Sequence, residues 1–283
     1  MLSEQRKQQI ADAVRTAAAN SSYDRLSVQI GKVASGGTLN KMANGKWELI
    51  KDEMWNKVAS RLNVRNEWQT AETAFLKDIC GFMADAQMYQ DNFWIIAKAG
   101  NGKTEAVNYY RQTHKNVFIV SCRDYTKREL VYYLSAELGL QKKASMRYRD
   151  LENAMIRRIQ ELDCPLLVFD EADKLKEDAL KFLIVLYNEV KNAGFFCCST
   201  PAVEEYMKSF RRRRGGEEVF SRFGKQFVLV TTPDDYDVEA ISRANYVTAD
   251  PAINRVKKAA FEAEYDMRAV RKAIMREWRK MGA

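Results

Sequence analysis

The sequence predicts an α/β protein: a parallel five-stranded sheet with helices between its strands, an all-α segment ahead of it and a small helical region behind it. Three observations carry this expectation. Between residues 71 and 236, short apolar runs alternate with amphipathic helical stretches, the pattern of strands joined by crossover helices. The first 62 residues hold helical periodicities and no strand-like run, and after Asp237 helical periodicity again stands alone. The expected organisation is a helix-turn-helix domain over 1–62, a polar linker over 63–70, a core over 71–236 and a lid over 237–283.

In the first segment Ile10, Ala13, Val14 and Ala17 recur at helical spacing, Tyr23 to Ile30 forms a short helix ended by Gly31, and Thr38 to Ala43 forms another, closed by Asn44-Gly45. A last helix from Asp52 to Leu62 sets Met54, Trp55, Val58 and Leu62 on one face. Two short helices joined by a glycine-containing turn are what a helix-turn-helix needs to seat its second helix in a DNA groove. On that reading Thr38, Asn40, Lys41, Asn44 and Lys46 are candidate DNA contacts, while Trp47 and Trp55 read as core anchors. Any small helical bundle produces similar patterns.

A long helix carrying Phe75, Ile79, Phe82 and Met83 opens the core. Its expected strands are Phe93 to Ala97, Val117 to Cys122, Leu166 to Phe169, Phe195 to Cys198 and Phe227 to Val230, with helices over Lys127 to Leu138, Tyr148 to Leu162 and Asp178 to Asn192.

The formal charge of the 283 residues is +8, and residues 1–66, with eleven Lys/Arg and six Asp/Glu, hold +5 of it. A basic module on a nearly neutral core suggests a polyanion, with nucleic acid first and a solvated basic surface as the plain alternative. No apolar run reaches the length of about eighteen residues that a membrane helix needs, and the N-terminus lacks the apolar stretch of a signal peptide, so a cytoplasmic protein with no membrane partner is expected. Cys80, Cys122, Cys164, Cys197 and Cys198 lack metal-ligand spacing and read as reduced, mostly buried thiols. His114 is the one histidine, which excludes histidine-rich metal sites and disfavours a Ser-His-Asp triad.

The chemistry concentrates after the first strand. Ala97-Lys98-Ala99-Gly100-Asn101-Gly102-Lys103-Thr104-Glu105 is a strand end, a glycine-bearing loop and a helix start. Backbone N–H groups of such a loop surround nucleotide phosphates, Lys reaches the β- and γ-phosphates, and the Thr hydroxyl ligates Mg²⁺. Ala97 departs from this pattern, standing where its first glycine is usual. Leu166-Leu167-Val168-Phe169-Asp170-Glu171 ends an apolar strand in two carboxylates. Asp170 would hold Mg²⁺ through water, and Glu171 would orient and deprotonate the attacking water. The two runs together point to an ATP site. Ser199 or Thr200 is expected near the γ-phosphate, or else forms an ordinary strand-to-turn junction. Arg222 and Arg268 are candidates to neutralise transferring charge, with a surface role the alternative for each, and the four arginines 211–214 before Gly215-Gly216 read as a flexible basic loop.

These residues, with Ser221-Arg222-Phe223 and Asp266-Met267-Arg268, resemble the P-loop AAA+ ATPase module. Within it the likeness is to transposition ATPases of the MuB type, with TnsC, TniB and IstB as relatives. The stretch Leu39 to Trp55 resembles the helix-turn-helix ahead of that module. The resemblance implies Lys103 and Thr104 as Walker A, Asp170 and Glu171 as Walker B, Ser199 or Thr200 as sensor 1, Arg222 as arginine finger and Arg268 as sensor 2. It further implies a homo-oligomer, a helical filament or ring, on double-stranded DNA bound with little sequence preference. ATP hydrolysis, weak until stimulated by DNA or partner, would drive disassembly, and the DNA would be delivered to a cognate transposase, itself activated in turn. Arg123, Lys127, Arg128, Lys142, Lys143, Arg147 and Arg149 are the core's candidate phosphate contacts. Two other readings remain open at this point: a replication-initiation or helicase-loading AAA+ ATPase, and an ATP-switched helix-turn-helix transcriptional regulator.

Overall fold

The chain begins with helices α1 (Glu4–Ala18), α2 (Tyr23–Gln29), α3 (Gly36–Ala43) and α4 (Asp52–Arg61). The computed structural model describes residues 2, 4–62, 64, 68–141, 146–224 and 227–280. Lys142 and Lys143, expected to touch DNA, lie outside the described residues. On α1 the buried stripe runs through Ile10, Val14 and Ala18, with Ala17 exposed. It meets Leu26, Leu39, Met42, Trp55 and Val58 in one apolar cluster. Trp47 stands edge-on to Trp55 with ring centroids 5.6 Å apart, and its indole N–H donates to the Met42 carbonyl at 2.8 Å. Both tryptophans therefore anchor the core. Ser22 and Ser35 cap α2 and α3 by accepting the N–H groups of Arg25 and Thr38. At Gly36 a Cβ would overlap the Asp24 carboxylate, so glycine is what lets the start of α3 lie against α2.

The central region runs α5 (Ala74–Tyr89), β1 (Asn92–Ile96), α6 (Lys103–Thr113), β2 (Val117–Ser121), α7 (Lys127–Glu137), α8 (Tyr148–Gln160), β3 (Leu166–Asp170), α9 (Glu177–Glu189), β4 (Gly194–Ser199), α10 (Val203–Arg211), α11 (Gly216–Val219) and β5 (Phe227–Leu229). The five strands pair in parallel in the order β2-β3-β4-β1-β5. Each expected strand is present, with no end moved by more than one residue. Because successive side chains on a strand point to opposite faces, Cys197 packs with Trp94, Phe169 and Phe195 on one face, and Cys198 with Ile95, Val168 and Phe196 on the other. All five cysteines are free thiols, with Cys122, Cys197 and Cys198 buried. His114 ends α6, its ring stacked on Tyr110.

The arginine run 211–214 is a structured corner between α10 and α11 rather than a flexible loop. Arg211 pairs with Glu217 and Arg213 with Glu177, which fixes two of the four side chains on neighbouring carboxylates.

Helices α12 (Asp235–Ala244), α13 (Asp250–Glu262) and α14 (Met267–Lys280) complete the chain around Val238, Ile253, Val256, Val270 and Ile274. Two compact units result: Met1–Ala71 with Asp235–Ala283, and Glu72–Asp234. In the first unit the Asn245 side chain donates to the Gln69 carbonyl and accepts the Gln69 N–H, both at 2.9 Å. Trp278 donates to the Asn245 carbonyl at 2.7 Å and its ring lies 6.3 Å from that of Trp68. Among the described residues no helix is long and apolar enough to cross a membrane.

Candidate nucleotide site

Parallel pairing puts the carboxyl ends of β1, β3 and β4 along one edge of the sheet, where ligands bind in open α/β folds. Ile96 is in register with Ser199, and Asp170 closes β3 beside β4. The loop after β1 turns through Gly100 (φ +86°) and Gly102 (φ +99°), a left-handed backbone that glycine adopts without cost, and α6 starts at Lys103. Ala97 fits this frame. Its methyl is buried in the core with Ile95 and Ala106, and its N–H donates to the Ser199 carbonyl at 3.2 Å.

The Lys103 ammonium is buried and donates to the carbonyls of Ala97 at 2.6 Å and Lys98 at 2.9 Å. Burial pulls its pKa below the ordinary lysine value. The Thr104 hydroxyl donates to Asp170 Oδ2 at 2.6 Å, and the Glu171 N–H donates to Asp170 Oδ1 at 3.0 Å. Burial raises the Asp170 pKa, against the opposing pull of the Thr104 bond. Glu171 holds a left-handed backbone (φ +56°), which costs a non-glycine residue about 1–3 kcal/mol. Its carboxylate lies 2.7 Å from the Lys174 ammonium.

Ser199 is fully buried. Its hydroxyl oxygen accepts the Trp94 indole N–H at 2.8 Å and the Asp173 backbone N–H at 3.1 Å. Thr200 is half-buried and donates to Asp173 Oδ2 at 3.0 Å. Asp173 and Trp94 are members of this edge that sequence reasoning missed. The signal for Asp173 was present as the third carboxylate of Asp170-Glu171-Ala172-Asp173; nothing in the sequence marked the Trp94 indole.

A hydroxyl and a carboxylate in contact at the start of α6 fit a divalent cation that takes its remaining ligands from phosphate oxygens and water. Among the described residues no group of three or more His, Cys, Asp or Glu side chains could hold a metal by itself.

Outside this cluster, Arg222 is exposed in a π-helical turn, Phe220–Gly224, with its guanidinium 5.7 Å from the Tyr187 ring centroid. Arg268, in the other unit, is exposed at the start of α14, its backbone N–H bonded to Asp266. Lys127 pairs with Glu152 at 2.9 Å, and Arg123, Arg128, Arg147 and Arg149 are exposed, Arg147 with its guanidinium 3.0 Å from Asp150. Asn40, Lys41, Asn44 and Lys46 are exposed around the end of α3, and Thr38 is bonded to Ser35 at its start.

Residues 86–207, which contain both motif runs and Thr200, match the family model of the AAA domain. The chain is similar to the ATP-dependent target DNA activator B of Escherichia phage Mu, 28% identical over 193 residues that cover 67% of this chain and 60% of that protein. The protein of the same name from Escherichia phage D108 matches with the same figures. These matches make the chain similar to AAA+ transposition ATPases of the MuB type. A further MuB-type relative, the Mu-like prophage FluMu DNA transposition protein B of Haemophilus influenzae, is 30% identical over 120 residues, 42% of this chain and 41% of its own length. This chain thus spans about 60% of the length of the phage relatives it matches. Its fold is also that of Cdc6p from Pyrobaculum aerophilum, with a TM-score of 0.53 at 12% identity over 74% of this chain and 61% of that one.

Proposed function

We propose that this chain is an ATP-dependent DNA-binding protein that assembles on double-stranded DNA, delivers that DNA to a transposase and hydrolyses ATP to come off it. The observation that carries the reading is the Thr104 hydroxyl on the Asp170 carboxylate beside the Lys103 loop, in a chain whose phage relatives are named ATP-dependent target DNA activators. Lys103 and the N–H groups from Gly100 to Thr104 bind the phosphates. Thr104 and Asp170 hold the cation, with Mg²⁺ the ion this donor pair suits, and it supplies positive charge against the phosphoryl oxygens. Glu171 takes the proton of the attacking water once its carboxylate leaves Lys174. Arg222 of a neighbouring copy balances the charge that develops on the transferred group.

DNA is gripped through phosphates, with Asn40, Lys41, Asn44 and Lys46 around α3 and Arg123, Arg128, Arg147 and Arg149 in the central unit as the exposed groups available for it. Affinity should then fall linearly on a log–log plot against salt. The likeness to Cdc6p, at 12% identity, concerns the fold alone and adds no weight to a role in replication.

The test is binding to random-sequence duplex with ATP, a non-hydrolysable analogue or no nucleotide, read by anisotropy and electron microscopy. Nucleotide-dependent, salt-sensitive binding with regular assemblies is expected. A footprint confined to one sequence, or binding indifferent to nucleotide, would sink the proposal. For the shared site, mixing Arg222→Ala with Lys103→Ala protein should restore turnover that neither has alone; no restoration removes Arg222 from the reaction.

A further inference from the structure

Four residues at the carboxyl edge of the sheet form one directed set of hydrogen bonds. The Trp94 indole and the Asp173 backbone donate to Ser199 Oγ at 2.8 and 3.1 Å, and the Thr200 hydroxyl donates to Asp173 Oδ2 at 3.0 Å. Chemistry fixes the directions, since indole and amide nitrogens only donate and an ionised carboxylate only accepts. Ser199 Oγ therefore has both acceptor positions filled, on a residue with no exposed surface. It holds β4 to β1 and to the turn after β3, and its complete burial, not its filled acceptor positions, closes it to a nucleotide.

Thr200 differs. Its single proton is spent on Asp173, so its oxygen presents lone pairs alone. A water molecule can donate to that oxygen; a fully ionised phosphate, which only accepts, cannot bond to it.

We propose that Asp173 is a positioning residue for hydrolysis: by holding the Thr200 proton it makes Thr200 a pure acceptor that orients the attacking water and does not bind the γ-phosphate. This rests on the functional reading above and adds to it which hydroxyl acts, on what, and what sets its polarity. The Asp173 carboxylate acts through Thr200, and its backbone N–H is held by Ser199, so the turn carrying Glu171 and the hydroxyl at the end of β4 are fixed to each other.

The experiment measures steady-state ATP turnover with DNA, and separately the binding of a fluorescent ATP analogue, for wild type, Asp173→Ala, Thr200→Val, the double variant and Thr200→Ser. Each of Asp173→Ala and Thr200→Val should lower kcat by on the order of 10- to 100-fold, the cost of a misplaced nucleophile. Analogue binding should stay within about threefold of wild type, because transition-state positioning and not ground-state binding is lost. The double variant should be no worse than the worse single one, since both remove one interaction, and Thr200→Ser should keep most turnover. Losses that multiply in the double variant, or a binding defect as large as the turnover defect, overturn the proposal. Should Asp173→Ala not fold, a Thr200→Val protein with wild-type kcat, or a Thr200→Ser protein as slow as it, overturns it equally. Wild type that binds the analogue yet never hydrolyses ATP would defeat the functional reading and this proposal together, whereas the former outcomes defeat this one alone.

Discussion

Two carboxylates that water scarcely reaches, Asp170 at the edge of the sheet and Glu277 in the helical unit, have their pKa values displaced in opposite directions. They are 2% and 5% exposed. Glu277 accepts two bonds from Arg255, at 3.1 and 2.6 Å, and one from Lys280 at 2.6 Å. The Arg255 guanidinium first, and then Lys280, hold its pKa down at about 2. Asp170 has no such clamp. Its bonds come from a hydroxyl and a backbone amide, the donors of nearby Lys103 are turned to carbonyls, and burial drives its pKa up. A structural carboxylate is neutralised by its own chain. On the proposed function Asp170 is kept for a metal: it is left short of positive charge, and an incoming cation would relieve the shortage.

The largest expected effect tests Asp170. Asp170→Asn should cut ATP turnover by on the order of 10²–10³-fold, as loss of a charge-stabilising group does, and yet raise the melting temperature of the nucleotide-free protein near neutral pH. The folded pKa lies above the unfolded one, so ionised Asp170 penalises the fold. That penalty is absent in acid, grows as pH rises through the folded pKa and is complete above it. Melting curves across pH check this, and a variant that melts lower than wild type at neutral pH breaks the contrast with Glu277.

Ser199→Ala comes next. It strips the acceptor from the buried Trp94 indole and from the Asp173 N–H, which should cost about 1–3 kcal/mol in denaturant unfolding. A loss indistinguishable from zero would show that Ser199 is no brace.

For Glu277 the sign reverses. With a folded pKa of about 2 against 4.5 for the free side chain, its contribution is complete above the unfolded value and disappears as pH falls between the two. Arg255 and Lys280 are 52% and 59% exposed, so solvent screening reduces the contribution to about 1 kcal/mol. Glu277→Gln should be less stable than wild type at neutral pH, with the two curves converging in acid. Parallel curves would refute the clamp.

The smallest effect belongs to the exposed pair Glu171–Lys174. Freeing the base by Lys174→Ala should raise basal turnover by up to about fivefold, since such a pair is worth about 0–1 kcal/mol. Phosphate release without DNA measures it, and a fall in basal rate would mean that Lys174 supports the base instead of restraining it.

These contrasts explain what the sequence made legible. The P-loop and the Asp170-Glu171 strand end were readable because phosphate and metal chemistry demand particular residue types at fixed spacing, and the strands were readable from apolar runs of uniform length. The division of labour between Ser199 and Thr200 was not, because adjacent hydroxyls at a strand end differ only in which way the strand turns them. Asp173 acts through a partner 27 residues away in sequence, and no local pattern reports such a pairing. The corner at arginines 211–214 was misread because Arg213 finds its carboxylate at Glu177, far back on α9. Likewise, the bonds between Gln69 and Asn245 span 176 residues, so periodicity could not show that the two ends of the chain share one unit.

The placement of tryptophan has an optical consequence. Of the five indoles, Trp47, Trp55, Trp68 and Trp278 belong to the helical unit, and Trp94 alone belongs to the central one. Its N–H is the first link of the hydrogen bonds that reach Asp173 and Thr200. With the other four replaced by phenylalanine, emission from Trp94 becomes a built-in optical probe of the nucleotide edge. It reads the polarity and hydrogen bonding of that one position in real time, with no label attached to the protein surface.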